Sequence, residues 1–100
     1  MLNLDKLRID DQQKNALEFA LRNLTGPVFL FGSRINLKEK GGDLDLLIYS
    51  NEDKWKLTLQ VSVDYKQNCE EKIDVMVVNP DELTLEEQVF IEEIEKIQIK

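Results

Sequence analysis

Histidine is absent from this chain of 100 residues, which has one cysteine and two prolines. Without histidine the chain has no catalytic triad of the Ser-His-Asp type and no imidazole general base. Acid–base chemistry would have to rest on carboxylates, lysine, tyrosine or metal-bound water. The single Cys69 excludes an internal disulfide, and one cysteine without histidine excludes a zinc site. We interpret Cys69 as a structural or surface thiol.

Long apolar segments are also missing. No apolar run approaches the roughly 20 residues of a membrane span, and residues 1–6 lack the apolar core of a signal peptide. With 42% apolar and 33% charged residues, the composition is typical of a globular protein. We therefore expect a cytoplasmic protein without a membrane segment, made of a single domain over residues 1–100.

Basic residues are in the minority, since 13 of them face 20 acidic ones and leave a net charge of −7. An acidic surface repels the phosphate backbone, so we do not expect duplex DNA or RNA as a partner. A basic protein is easier to accommodate. Three basic residues, Arg34, Lys38 and Lys40, are nevertheless grouped between a Gly-Ser pair and two aspartates.

The order of periodic segments predicts an α+β fold with the element order α-β-β-α-β-α and helices packed on a small mixed sheet. Residues 10–24 have one apolar helical face, a capping pair of Asp10 and Gln13 at the start, and Gly26 and Pro27 after the end. Three apolar runs predict buried strands. These runs are residues 28–31, 44–49 and 72–78.

Residues 51–68 fit two structures. Their apolar residues alternate strictly, as in an amphipathic strand. However, Ser50 followed by Asp53 can cap a helix, and Trp55, Leu59 and Val63 are spaced one helical turn apart. Length favours the helix, because strands are usually shorter. A helix would also suit a crossover between two strands of one sheet.

The last segment is predicted to be a helix that begins at residues 79–82, where Asn79 would cap it and Pro80 would occupy its first position. Its buried stripe would consist of Leu83, Val89 or Phe90, Ile94 and Ile97. Its outer face would be acidic, either solvated or docked to a basic partner. The acidic residues are Glu86, Glu87, Glu92, Glu93 and Glu95.

Asp43 and Asp45 are the first candidate site residues. Alternate residues of a strand project to the same side, so the two carboxylates can converge on a pair of metal ions that supports phosphoryl transfer. Without cations the two groups would repel each other, and one would tend to keep its proton. The alternative is an Asp43 at the end of a loop beside an Asp45 exposed at a sheet edge.

Asp74 strengthens the metal-site interpretation because it lies inside another apolar run, where an unpaired carboxylate is costly to bury. If strands 44–49 and 72–78 are neighbours, Asp74 completes a site of three carboxylates. It would then be a second metal ligand or a general base for an incoming hydroxyl. The alternative is an Asp74 paired with Lys72 or with a backbone amide.

The turn at Gly32 and Ser33 follows strand 28–31 directly. Glycine lets a ligand approach the backbone closely, and a serine hydroxyl with nearby amides can donate to phosphate oxygens. Arg34 either clamps phosphate or fixes the loop through an ion pair. A tight turn at Gly41 and Gly42 would lead into the strand that carries the aspartates.

Three segments together resemble the motif of the DNA polymerase β-like nucleotidyltransferase superfamily. They are Gly32-Ser33-Arg34, Gly42-Asp43-Leu44-Asp45-Leu46 and Ile73-Asp74-Val75. The order of elements over residues 10–97 is also similar, and the short length points to the minimal nucleotidyltransferase (MNT) branch. The resemblance implies a nucleotidyltransferase fold in which Gly32 and Ser33 bind the nucleoside triphosphate. Asp43 and Asp45 would hold Mg²⁺, as two ions with bound nucleotide, and Asp74 would complete the site.

The motif departs from the family pattern at two places. Many members have a further glycine after the serine, where this chain has Asn36 and Leu37, and many have serine before the first aspartate, where Gly42 stands. Neither departure removes a metal ligand. Both affect the part of the motif that shapes the loop and grips phosphate.

The resemblance also implies a partner. Members of this size commonly act with a separate helical protein of the HEPN type, as the antitoxin of a toxin–antitoxin pair. The leading hypothesis is an Mg²⁺-dependent transfer of AMP from ATP to a hydroxyl of such a toxin. The alternatives are an antitoxin that neutralises by docking alone, and a small-molecule nucleotidyltransferase of the aminoglycoside-modifying type, which would need subunits to pair as a homo-oligomer.

Overall fold

The computed structural model describes residues 2–4, 7–35 and 43–100. Within these ranges a short 3₁₀ turn at Gly32–Ile35 separates the first two strands. No helix of the described ranges is both long and apolar enough to cross a membrane. The helices and strands, in chain order, are α1 (Asp11–Ala20), β1 (Val28–Phe31), β2 (Leu44–Tyr49), α2 (Lys54–Lys66), β3 (Ile73–Val78), α3 (Leu85–Glu93) and β4 (Lys96–Gln98).

The strands form one mixed sheet in the order β3-β2-β1-β4. Strands β2 and β3 are parallel, and β1 is antiparallel to both β2 and β4. The parallel pair is joined through α2, as a crossover requires. The α+β fold with a small mixed sheet is confirmed, and β4 adds a final strand to the predicted order.

Side chains of β2 alternate between a core face and a second face of the sheet. Leu44, Leu46 and Ile48 are buried on the core face, where α1 and α2 supply Leu17 and Val61. Leu47 is buried too, but it does not belong to that core cluster. Asp45 shares the second face with Leu47, so the candidate site lies on the side of the sheet away from α1 and α2.

Helix α1 starts as predicted and ends earlier. Asp10 and Gln13 form a reciprocal capping box, in which the Gln13 amide N–H donates to the Asp10 carboxylate at 2.8 Å. The helix ends at Ala20 rather than at residue 24, because the chain turns there and the Leu24 amide donates to the Leu21 carbonyl at 3.2 Å. Both leucines remain buried, so the apolar pattern continued beyond the helix.

Helix α2 resolves the ambiguity of residues 51–68 in favour of the helix. Asp53 caps it by accepting from the Lys56 amide at 3.0 Å. The apolar residues at helical spacing that the sequence suggested are nevertheless on the outside, with Trp55 80% exposed. The core face consists of Leu57, Val61 and Tyr65. Strict alternation placed apolar residues on both sides of the helix, and only one side meets the sheet.

The predicted start of the last helix is wrong. Asn79 caps a turn instead, where its side chain accepts from the Asp81 amide at 2.9 Å. The helix begins at Leu85, capped by Thr84 in a capping box with Glu87. This Thr-x-x-Glu pattern was the signal that the sequence reading missed.

The predicted buried stripe of the last helix is also wrong. Helix α3 contains no buried residue. Val89 and Phe90 are 46% and 36% exposed, and Ile97 lies in β4. The predicted helix does not continue to Ile97, because the chain leaves the helix at Ile94 and returns to the sheet beside β1.

Candidate active site

A row of four residues crosses the sheet on the second face. Asp74 of β3 is the cross-strand partner of Asp45 of β2. Asp45 is in turn opposite Phe31 of β1, and Phe31 is opposite Lys96 of β4. Because partners in register project to the same side of a sheet, the two aspartates are neighbours. The sequence-based condition that β2 and β3 be adjacent is met.

Asp45 is the most perturbed acid of this row. Burial raises the pKa of the Asp45 carboxyl above its ordinary value of 3.8, and the charges of Asp74 and Asp43 raise that pKa further. Lys72 acts in the opposite direction. Asp45 is therefore close enough to the other two predicted acids to sense the charge of each. A cluster of like charges of this kind favours a bound cation or a bound proton.

Asp43 and Asp74 are more open to solvent than Asp45. Asp43 lies just before β2 and forms an ion pair with Lys72 at 3.6 Å, with 44% of its side chain exposed. Asp74 is exposed on β3. From the sequence Lys72 was a candidate partner of Asp74, whereas in the structure it forms an ion pair with Asp43. An exposed pair of this type contributes little to stability, so Asp43 can exchange Lys72 for another cation at small cost.

Gly32 lies directly against the Asp45 carboxylate. Its φ of +79° is in the left-handed region, and a Cβ added there would collide with the carboxylate of Asp45. Only glycine leaves this space open. The end of β1 and the start of β2 thus place a backbone turn beside the acid pair, and the approach of a ligand to Gly32 stays a prediction.

Two further predicted site residues, Ser33 and Arg34, follow Gly32 along the chain. Ser33 and Arg34 belong to the 3₁₀ turn, and only their backbone is described. Lys38 and Lys40, together with residues 41–42, lie outside the described residues. The assignments of Ser33 and Arg34 to nucleotide binding remain predictions.

The acid cluster suits a divalent cation in its chemistry. Mg²⁺ prefers carboxylate oxygens and is held by one or two of them together with substrate phosphates. Among residues 2–4, 7–35 and 43–100, no group of three acidic or cysteine side chains is already arranged around one metal position. Asp45 and Asp74 nevertheless form a pair of neighbouring carboxylates, and the turn at Gly32 lies directly against Asp45.

Aromatic side chains flank the acids, and the sequence reading did not single them out. Phe31 packs edge-on against Phe90 of α3, with ring centroids 5.6 Å apart. This contact holds α3 over the same face as Asp45. Lys96 donates to the Ile91 carbonyl at 3.1 Å, so it ties the end of α3 to the sheet. The register of β4 was the missing information, since Lys96 joins the row only through that strand.

A shallow groove of about 480 Å³ adjoins the row. Met76 lines it and lies two residues beyond Asp74 on the same face of β3. Phe90 and Thr84 form its other side. The groove therefore begins at the next same-face position of β3 beyond Asp74, and neither aspartate lines it.

The family model described as "Polymerase beta, Nucleotidyltransferase" matches residues 19–97. The match covers more than three quarters of the chain and contains the Gly32 turn and all three aspartates. The chain therefore belongs to this nucleotidyltransferase family. Comparison with curated proteins gave no match.

Proposed function

We propose, from its membership in the polymerase beta nucleotidyltransferase family, that this protein transfers a nucleoside monophosphate, AMP, from ATP to a hydroxyl acceptor. The observation that carries the proposal is the register of Asp45 with Asp74, beside the backbone turn at Gly32 that lies directly against Asp45. Two adjacent carboxylates and a turn free of side chain are what a magnesium nucleotide requires. The acceptor oxygen would attack the α-phosphate in line and expel pyrophosphate.

Asp43, Asp45 and Asp74 are the residues that would hold Mg²⁺. When bound, the metal supplies charge neutralisation for the phosphate oxygens. The raised pKa of Asp45 fits this role, because burial and the charges of Asp74 and Asp43 disfavour the ionised carboxylate until a cation neutralises it. Asp43 would leave Lys72 to take part, which the exposure of their ion pair allows.

The remaining site residues would orient the substrates. Gly32 gives the triphosphate access to backbone amides, and Ser33 and Arg34 would donate to its oxygens. Besides its place among the metal ligands, Asp74 is the candidate to accept the proton of an incoming hydroxyl, because it is the most exposed residue of the row. Positioning of this kind supplies most of the rate enhancement in phosphoryl transfer.

A protein hydroxyl is the acceptor we propose, on a HEPN-type helical toxin for which this chain would be the antitoxin. The open groove that Met76 and Phe90 line supports a large acceptor rather than an enclosed small molecule. Small-molecule sites usually bury most of their ligand. A tyrosine on an exposed segment of the partner would reach Asp74 without an enclosing pocket.

The test uses the protein with ATP labelled at the α-phosphate, Mg²⁺ and the protein encoded by the neighbouring gene. Wild type should label the acceptor, and Asp45→Asn should reduce the labelling rate by at least about 100-fold, the scale of losing a group that stabilises transition-state charge. Asp81→Asn is the matched control, because Asp81 is exposed and lies at the far end of β3. Equal labelling by wild type and Asp45→Asn would refute the proposal.

An antitoxin that neutralises by docking alone is the second candidate. The absence of a ready three-acid metal cluster among the described residues and the engagement of Asp43 by Lys72 favour it. If docking alone neutralises the toxin, we expect the Asp43→Ala/Asp45→Ala variant to neutralise it fully. The nucleotidyltransferase proposal expects that variant to fail. An aminoglycoside-type activity would instead appear as labelling of a small molecule with no protein acceptor present.

A further inference from the structure

Helix α2 carries an apolar ridge on its outer side. Trp55, Leu59 and Val63 follow one another at one-turn spacing and are 80%, 66% and 46% exposed. They lie on the side of the helix opposite the buried Leu57 and Val61. We call these three residues the α2 ridge. A continuous exposed row of this size is typical of an interaction surface.

Helix α3 carries a second, smaller ridge. Leu85 and Val89 are one turn apart and are 75% and 46% exposed. Phe90, in contrast, points inwards and packs on Phe31 of the sheet. We call Leu85 and Val89 the α3 ridge. Helix α3 has no buried residue, so burial within the fold does not account for these two apolar side chains.

The two ridges have flanks of opposite charge. Exposed Lys56 and Lys66 project beside the α2 ridge, as the helical period requires. The α3 ridge is flanked by carboxylates, all exposed. In a chain of net charge −7, the basic border of α2 is selective for an acidic helix. The carboxylates are those of Glu86, Glu92 and Glu93.

We propose that the α2 ridge of one copy of this protein docks on the α3 ridge of a second copy. A second copy supplies the required surface, an apolar row on a helix bordered by carboxylates. Packing of two such helices side by side removes both ridges from water and pairs lysines with glutamates. This proposal does not rest on the proposed enzymatic function.

The contact is expected to be head-to-tail. Helix α2 packs on the core face of the sheet, whereas α3 packs on the face that carries Phe31 and Asp45. The ridges therefore face away from opposite sides of the molecule. One neighbour related by a two-fold axis cannot engage both ridges, so each copy binds two neighbours and forms rings or open chains.

The test is sedimentation velocity of the full chain at protein concentrations up to about 100 µM, a range that detects micromolar self-association. In one variant, Lys56→Glu/Lys66→Glu, both ridges are bordered by acidic side chains. In the other variant, Glu86→Lys/Glu93→Lys, both ridges are bordered by basic side chains. We expect wild type to associate more with increasing concentration, and each variant alone to weaken association by at least about tenfold, because like charges then meet. Lys14→Glu on α1 is the control and should associate as wild type does.

Mixing the two variants is the decisive measurement. In the mixture, a ridge bordered by acidic side chains can pair with a ridge bordered by basic side chains on the other variant. Association should therefore return, although each variant alone associates weakly. Melting temperatures near that of wild type establish that both variants fold. A wild type that stays monomeric, variants that associate unchanged, or a mixture without recovery would each overturn the proposal. In the first and last cases the ridges would be left for a different protein.

Discussion

Asp45 and Asp74 face each other across the parallel strands β2 and β3, and the charge of Asp74 adds to burial in raising the pKa of Asp45. The fold therefore holds together two groups that repel. Burial next to like charge lowers stability, and proteins retain such arrangements at functional sites. This relationship links the stability of the protein to the proposed chemistry.

Asp45→Asn should stabilise the metal-free protein at neutral pH. The folded state keeps the Asp45 proton above the ordinary pKa of 3.8, where the unfolded chain has lost it. The free energy of unfolding therefore falls as pH rises through this window. The charges that act on Asp45 are those of Asp74, Asp43 and Lys72. Melting temperatures in EDTA should show the variant above wild type at neutral pH, with the difference vanishing below the ordinary pKa. A variant less stable at neutral pH would contradict this.

Gly32→Ala should remove activity and also destabilise the fold. A non-glycine residue at positive φ costs about 1–2 kcal/mol, and the new Cβ would meet the Asp45 carboxylate. Gly26→Ala is the control, because a Cβ there meets the Tyr49 carbonyl at the other end of β2. Labelling rates per folded molecule should fall for Gly32→Ala only. Equal loss in both variants would mean that Gly32 matters only for folding.

Two leucines of α2 should respond differently to truncation. Leu57 is 4% exposed and Leu59 is 66% exposed. Leu57→Ala should lower the free energy of unfolding by about 2–5 kcal/mol. Leu59→Ala should change it by about 0.5 kcal/mol or less. Urea unfolding at low protein concentration measures both, and a larger effect at Leu59 would mean that the helix faces the sheet with its other side.

Thr84→Ala should lower the free energy of unfolding by about 1 kcal/mol, the usual value of a helix cap. The Thr84 hydroxyl accepts from the Glu87 amide at 3.1 Å. Thermal unfolding measures the loss. The control is Asn79→Ala, where the predicted cap turned out to belong to a turn, and α3 should keep its helicity in that variant by circular dichroism.

Glu87 should give a pH dependence opposite in sign to that of Asp45. The Thr84 backbone N–H donates to the Glu87 carboxylate at 2.9 Å and, with Lys54, lowers the pKa of Glu87 below its ordinary 4.5. The stability from this interaction is present above the ordinary pKa and is lost as pH falls through the lowered value. Glu87→Ala should therefore be less stable than wild type at neutral pH, with a gap that closes in acid. A gap that is constant with pH would exclude the carboxylate as its cause.

The strands could be predicted, and the acids could be picked out as candidates, because each of these features has a local cause. Strands β1 and β2 have the predicted limits, since short apolar runs bounded by turn residues are typical of strands. The aspartates stood out for the same reason, as charges inside apolar runs. That Asp74 lies next to Asp45 could be predicted only on the condition that β2 pairs with β3, because this pairing is a contact between segments distant in the chain.

The C-terminal third was predicted less well. Asn79 and Pro80 have the chemistry of a helix start and form a turn, while Thr84 caps the helix. Local patterns of similar strength competed there, and packing chose between them. The spacing of Trp55, Leu59 and Val63 indicated a helix correctly, but the helical period identifies faces and does not say which one is buried.

By itself, the sequence determined the classes of residue that any chemistry here can use and the strands that carry them. Absent histidine, the acids at 43, 45 and 74 and the turn at Gly32 are properties of the chain. The tertiary structure decided which of these meet. Register in the sheet put Asp74 opposite Asp45, and the orientation of two helices left apolar residues facing water. Both outcomes depend on contacts between segments distant in the chain, whose free energy exists only when the whole fold has formed.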